Sequence, residues 1–264
     1  MTDLHVTRWG GTGPRVVLIH GSAQGSSVGG DAHFAGQQAL GEAGWQLIVP
    51  DRPGHGNSPA LGRPDDFDLD GQLLANFLED GAHLVGHSYG ALVALAAAEA
   101  RPEAVLSLTL IEGAMQHLTL DDPRTGAFLA AMGQAMQGAT SMADLARRFS
   151  DVAGIPEEIR GQRNEAEQEA VGRGLAMLKL PTPERVRELV EGARRNTIPL
   201  LTVSGGWNPG IDASSEKAAD VGGGRYVRIE SPHHFPQNHD AGAFNALLVE
   251  FMHQASASRT QARQ

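Results

Sequence analysis

Short apolar runs alternate along this chain with longer stretches of mixed polarity. Leu4-His5-Val6-Thr7-Arg8-Trp9 alternates polar and apolar side chains, the period of a strand. Arg15 to Ile19, Trp45 to Val49, Ala82 to Val85, Ala104 to Ile111 and Pro199 to Ser204 are apolar runs of strand length, and Arg225 to Glu230 reads as a last strand. Between them the pattern predicts helices over Asp31 to Gly44, Asp68 to Glu79, Ala91 to Ala98 and Ala241 to Gln254. The first ends at glycine. The second opens with acidic residues and stops at Gly81. Ser256 to Gln264 is polar and is expected to fray. Strands alternating with helices predict an α/β fold, a mostly parallel twisted sheet with helices on both faces.

The alternation stops between Ala114 and Ile198. Helical patterns lie near 123–137, 141–150, 156–178 and 182–195, with no convincing strand. This organisation predicts a core of residues 1–113 and 199–264 with an inserted helical lid, 114–198. Five of the seven methionines fall in the insertion: Met115, Met132, Met136, Met142 and Met177. Methionine packs adaptably, so one or two are expected to face a bound apolar molecule and the rest to fill the lid's own core.

Composition narrows the functional classes. The 264 residues carry 21 Lys+Arg against 31 Asp+Glu, a formal net charge of −10. An acidic chain with no basic run is a poor ligand for nucleic acid or an anionic membrane. There is no cysteine, which removes disulfides, thiolate catalysis and zinc–thiolate sites. The first residues lack the basic and apolar regions of a signal peptide, and no apolar run reaches membrane-spanning length. A soluble, cytoplasmic protein is expected. Oligomeric state is not legible. Gly10-Gly11-Thr12-Gly13-Pro14 precedes a strand instead of joining strand to helix, so it is a turn and not a dinucleotide loop.

The strongest chemical signal is Gly86-His87-Ser88-Tyr89-Gly90, a G-x-S-x-G sequence between an apolar strand and a helix of small residues. In that context the serine sits on a very tight turn, with helix N-terminal N–H groups beside it. A serine hydroxyl is a weak nucleophile near neutral pH and needs a base, usually a neutral imidazole. Eleven histidines compete for that role. His233, His234 and His239 match no common metal-ligand spacing, and no metal is expected.

The order of further motifs resembles the α/β-hydrolase superfamily. A His20-Gly21 loop follows the second strand. Asp51-Arg52-Pro53-Gly54-His55-Gly56-Asn57-Ser58 follows the third. The Ser88 elbow comes next, and Ser231-Pro232-His233-His234-Phe235 lies late in the chain. The resemblance runs from about Leu4 to Phe251, apart from the insertion. It implies one strand ahead of Leu4, for which there is almost no chain, so the sheet is expected to lack it. It also implies Ser88 as nucleophile and His234, followed by an aromatic, as base. His233 stands where the family usually has glycine and competes for the role. The implied oxyanion donors are the backbone N–H of Tyr89 and one from the loop after Gly21, most simply Ser22, with Ala23 as the alternative. His20, His55 and His87 are read as structural.

The acid of the triad is open between two carboxylates. Asn208 stands where many relatives carry aspartate, and an amide cannot hold the charge. Asp212 lies four residues on, where it is expected to cap a helix over Ala213 to Ala219. Glu112 ends the strand after the elbow helix, an arrangement similar to that of haloalkane dehalogenases, and is preferred. Dehalogenases and epoxide hydrolases of the superfamily use an aspartate nucleophile, so Ser88 points to acyl transfer. The function expected is a cofactor-free carboxylic-ester hydrolase acting on small to medium apolar substrates. The alternatives are lactone or carbon–carbon bond hydrolysis, perhydrolysis, cofactor-free oxygenation, or a non-catalytic ligand receptor.

Overall fold

The structure, a computed structural model, describes residues 3–21, 23–161 and 163–262. Seven strands form one sheet: β1 (Val6–Trp9), β2 (Arg15–Ile19), β3 (Gln46–Pro50), β4 (Ala82–His87), β5 (Val105–Ile111), β6 (Leu200–Ser204) and β7 (Arg225–Arg228). Their order is β1-β3-β2-β4-β5-β6-β7. Only β1 runs antiparallel, against β3, and the other pairs are parallel. Parallel neighbours need crossovers, and the helical stretches of the sequence supply them.

The inner strands divide their side chains between two cores. Val17 and Ile19 of β2 pack on one face with Leu84, Leu108, Leu110 and the helix Tyr89–Ala100. Val16 and Leu18 pack on the other with Val85, Ile111, Leu201, Val203, Phe244 and Leu248. The two-residue period of the strand puts alternate side chains on opposite faces, and both faces are covered by helices. The central strands are therefore buried at nearly every position.

Three expectations for helices change. The stretch 31–44 is not one helix but three short pieces, Gly30–His33, Ala35–Gln37 and Ala39–Glu42. Its glycines serve close packing: a Cβ on Gly41 would lie 2.7 Å from the Gly10 nitrogen, and one on Gly36 would lie 2.8 Å from the Ala241 Cβ. The stretch 156–178 is divided into Glu157–Arg160 and Glu165–Ala176. The last helix does not fray at residue 256 but runs Ala241–Ala262.

Between β5 and β6 the described residues contain helices and no strand: Gln116–Leu118, Pro123–Gln137, Met142–Val152, Glu157–Arg160, Glu165–Ala176 and Pro183–Arg195. Leu145, Ala146, Val171 and Leu175 form a small apolar core of this insertion. No helix among the described residues is long and apolar enough to cross a membrane.

Candidate active site

Ser88 separates β4 from the helix Tyr89–Ala100 and has φ 58° and ψ −126°. A residue with a Cβ pays about 1–3 kcal/mol for such a backbone, which persists only where the surroundings enforce it. Here they do. A Cβ on Gly86 would meet the Gly90 oxygen at 2.4 Å, and one on Gly90 would meet the Ile19 oxygen at 2.3 Å. Strand and helix approach too closely for side chains at either position. The Ser88 N–H donates to the Ile111 oxygen at 2.9 Å, tying the elbow to β5. The Tyr89 N–H opens the helix, where the backbone dipole favours negative charge.

Strand register brings the next group alongside. His87 of β4 pairs with Ile111 of β5, so Ser88 and Glu112 leave the same sheet edge side by side. Glu112 also has positive φ, 49°. Its N–H donates to the Val203 oxygen at 2.8 Å. The carboxylate is buried, and Oε2 lies 2.9 Å from Nδ1 of His234. Because a carboxylate accepts, Nδ1 is the donor in this contact, and in the neutral ring the lone pair then lies on Nε2. Two more donors face the same carboxylate, the Gly205 N–H at Oε1 (2.5 Å) and the Trp207 indole N–H at Oε2 (2.7 Å).

His234 is held from behind. Its carbonyl accepts a 2.8 Å hydrogen bond from Nε2 of His87, and the two rings lie 4.8 Å apart. Phe235, fully buried, packs on His87 at 4.5 Å. A file of imidazoles continues inward, His87 to His33 at 5.8 Å, His33 to His20 at 5.2 Å and His20 to His55 at 5.0 Å. Burial holds all four well below the ordinary histidine range, helped by neighbouring imidazoles at His20, His33 and His87 and by Arg52 at His20 and His55, so they are neutral at pH 7. His20 donates from Nδ1 to the Gly21 oxygen at 2.8 Å and accepts the Arg52 N–H at Nε2, fixing the loop after β2. Buried Arg52 adds a 3.1 Å bond to the Gly21 oxygen and pairs with Asp65 and Asp70.

The other sequence candidates fall as follows. Ser22 lies outside the described residues, but its neighbour Gly21 sits on the nucleophile: a Cβ there would be 2.9 Å from the Ser88 Cβ. His233 is engaged elsewhere. Its Nδ1 accepts the Phe235 N–H at 3.2 Å, and its ring lies 5.4 Å from that of His239. Asp212 is turned toward Ser204 and Gly206, whose donors lie 2.5 and 3.2 Å from Oδ1. It does not cap a helix. The helix begins earlier, Pro209–Gly222, and Asn208 caps it by accepting the Gly210 and Ile211 N–H groups. Proline at the first helical position, after an Asn cap, starts the helix at residue 209.

Sequence reasoning gave no role to Trp207. The signal was a lone indole in the glycine-rich loop Gly205-Gly206-Trp207, which has no reason to be aromatic unless its N–H or its ring is used.

Ser88, Glu112 and His234 open onto one cavity of about 300 Å³. Its far wall comes from the insertion, with Phe128, Leu129, Met132, Met136, Phe149 and Leu175 among the lining side chains. Met115 is buried away from it, and Met142 and Met177 are exposed. Among the described residues the lining includes no lysine or arginine, and Glu112 is its one carboxylate.

A fold of this topology, with an elbow serine and a His–carboxylate pair lining one cavity, defines a class of hydrolytic enzymes, and comparison with known proteins agrees. The sequence model of the alpha/beta hydrolase family matches residues 16–247, and the chain belongs to that family. It is similar to pimeloyl-[acyl-carrier protein] methyl ester esterase of Neisseria meningitidis serogroup C, with 27% identity covering 90% of this chain and 93% of that protein. It is 35% identical to lipase LipV of Mycobacterium tuberculosis over 49% of this chain, and the match spans about half of that lipase, 48%. Among solved structures, a thermophilic esterase from Thermogutta terrifontis shares the fold, with a TM-score of 0.71 at 19% identity, covering 96% of this chain and 94% of that one.

Proposed function

We propose that this protein is a serine hydrolase that cleaves neutral carboxylic esters of small to medium size. The observation that carries the reading is the 2.9 Å contact of Glu112 Oε2 with His234 Nδ1 at the edge of a cavity that Ser88 also lines. The Ser88 Oγ attacks the ester carbonyl while its proton passes to Nε2 of His234. The new Oγ–C bond places the negative charge on the carbonyl oxygen. The Tyr89 N–H and one from the Ser22–Ala23 loop receive that charge. Collapse expels the alcohol, which takes the proton from Nε2. Water, activated by the same imidazole, then releases the acid from the acyl-enzyme. Glu112 holds the tautomer and stabilises the imidazolium throughout.

The cavity supports a neutral substrate. Met132, Met136, Leu129 and Phe149 suit an alkyl or aryl chain, and among the described residues no lysine or arginine lines the space to offset a substrate carboxylate. In this reading residues 114–198 act as a lid over a core of 1–113 and 199–264. The substrate is a free small molecule, no metal or organic cofactor takes part, and the protein works in the cytoplasm. A chain-length series of p-nitrophenyl esters assayed beside lactones tests the reading. Turnover of the esters that disappears in Ser88→Ala supports it, and ester turnover that survives in a folded Ser88→Ala protein rejects it.

A further inference from the structure

The contact between Glu112 and His234 is not made by those two residues alone. Glu112 Oε2 accepts from two donors at once, His234 Nδ1 at 2.9 Å and Trp207 Nε1 at 2.7 Å. The indole also stands against the imidazole, with ring centroids 5.9 Å apart at 77°. A carboxylate on a single χ3 hinge has several orientations, and the Gly205 and Trp207 donors leave it one.

The other side of the indole meets the insertion. Gly154 follows the helix Met142–Val152 and has φ +62°. A Cβ there would lie 2.6 Å from the Cη2 and 2.7 Å from the Cζ3 of Trp207, so only glycine lets the backbone lie on the ring. The Gly154 oxygen accepts the backbone N–H of His234 at 2.9 Å. One residue of the insertion therefore touches both the indole that orients the carboxylate and the backbone that carries the imidazole.

We propose that Trp207 is a positioning residue for the Glu112–His234 pair, and that the insertion is coupled to the pair through the seating of Gly154 on its ring. The inference rests on the serine-hydrolase reading of the site. An indole N–H holds the carboxylate toward the imidazole without touching substrate. The helical insertion keeps that indole in place only while Gly154 is seated. Displacing the insertion thus loosens the pair that activates Ser88.

Trp207→Phe removes the N–H, and replacing Trp207 by benzothienylalanine removes it while keeping the bicyclic ring. Both should lower kcat by about 10- to 100-fold, the size of a hydrogen bond to a charged group, with KM nearly unchanged. Both should also shift the downfield proton resonance of His234 Nδ1–H, a readout that needs no substrate. Gly154→Ala should lower kcat in the parent protein and lower it much less in Trp207→Ala, where the clashing ring is gone. A folded benzothienylalanine protein with wild-type kcat and an unmoved resonance overturns the positioning role. So does a change confined to KM. Additive effects of Gly154→Ala and Trp207→Ala overturn the coupling. If the parent protein hydrolyses no ester, yet the resonance moves on loss of the indole N–H, the proposed function fails while the positioning role stands.

Discussion

Ser88 and Glu112 leave the ends of adjacent parallel strands with the same unusual backbone, φ 58° and φ 49°. Neither is glycine, and both are locked by strand-edge hydrogen bonds, Ser88 N–H to Ile111 and Glu112 N–H to Val203. Two side chains that would otherwise diverge along their strands are thus turned to one side of the sheet edge. Strain of this kind collects where a fold must present groups at fixed positions.

Ser88→Ala should abolish ester turnover in a protein that still folds, because among the described residues no other serine has this backbone and cavity. His234→Ala should be as damaging, since nucleophile and base act as a unit. His233→Ala should cost little, because its Nδ1 serves the Phe235 N–H. Steady-state kinetics on the three variants, with circular dichroism to confirm folding, checks the ranking. His233→Ala ranking with Ser88→Ala would move the base.

Glu112→Gln should lower kcat by on the order of 10³- to 10⁴-fold with the fold retained. Three donors converge on this carboxylate, from Gly205, Trp207 and His234. An amide offers one oxygen and turns its own NH2 toward a donor, so one of the three contacts must break. Asp212→Asn should instead lower thermal stability, by about 1 kcal/mol for its contacts with Ser204 and Gly206, and leave kcat near that of the parent. The opposite pattern, stability lost at 112 and kcat lost at 212, would reassign the acid.

Acid should destabilise the fold from the ordinary histidine range downward. His20, His33, His55 and His87 are held well below 6.5 by burial, and His83 is pushed down to about 4 for the same reason. Below 6.5 the unfolded chain takes up protons that the folded chain refuses, so stability is full above that value and falls with pH. For His83 the loss continues until about 4. Each such group contributes up to about 1.4 kcal/mol per pH unit within its window. Urea midpoints measured at steps from neutral into acid should fall steeply. A flat profile would mean that these imidazoles protonate inside the fold.

Esters that carry a free carboxylate on the acyl chain should be poorer substrates than neutral esters of equal length, chiefly through a higher KM. Among the described residues, Glu112 and no lysine or arginine line the cavity. Burying an uncompensated carboxylate is costly. Comparing a mono-ester of a dicarboxylic acid with its diester measures this directly, and equal kcat/KM would show that the charge stays in solvent.

The sheet and the elbow were legible in the sequence because their causes are local. Branched residues at strand period, Gly86 and Gly90 around Ser88, and the small-residue run after Tyr89 each act within a few positions. Helix boundaries over 31–44 were not legible. That stretch is broken by contacts with Gly10 and Ala241, which are distant in sequence. The same holds for the carboxylate beside His234. Glu112 and Asp212 both follow parallel strands that reach one sheet edge, and strand-end position alone does not say which turns inward. The tertiary structure decides it. Asn208 caps the following helix from residue 209, which carries Asp212 to Ser204, while the 205–207 loop folds over Glu112 and supplies two donors to its carboxylate. Gly154 completes this arrangement from the insertion, and its packing on Trp207 has no trace in local pattern. Periodicity reports what each segment buries. Which side chains meet across segments depends on how the loops pack, and that energy is shared among residues far apart in the chain.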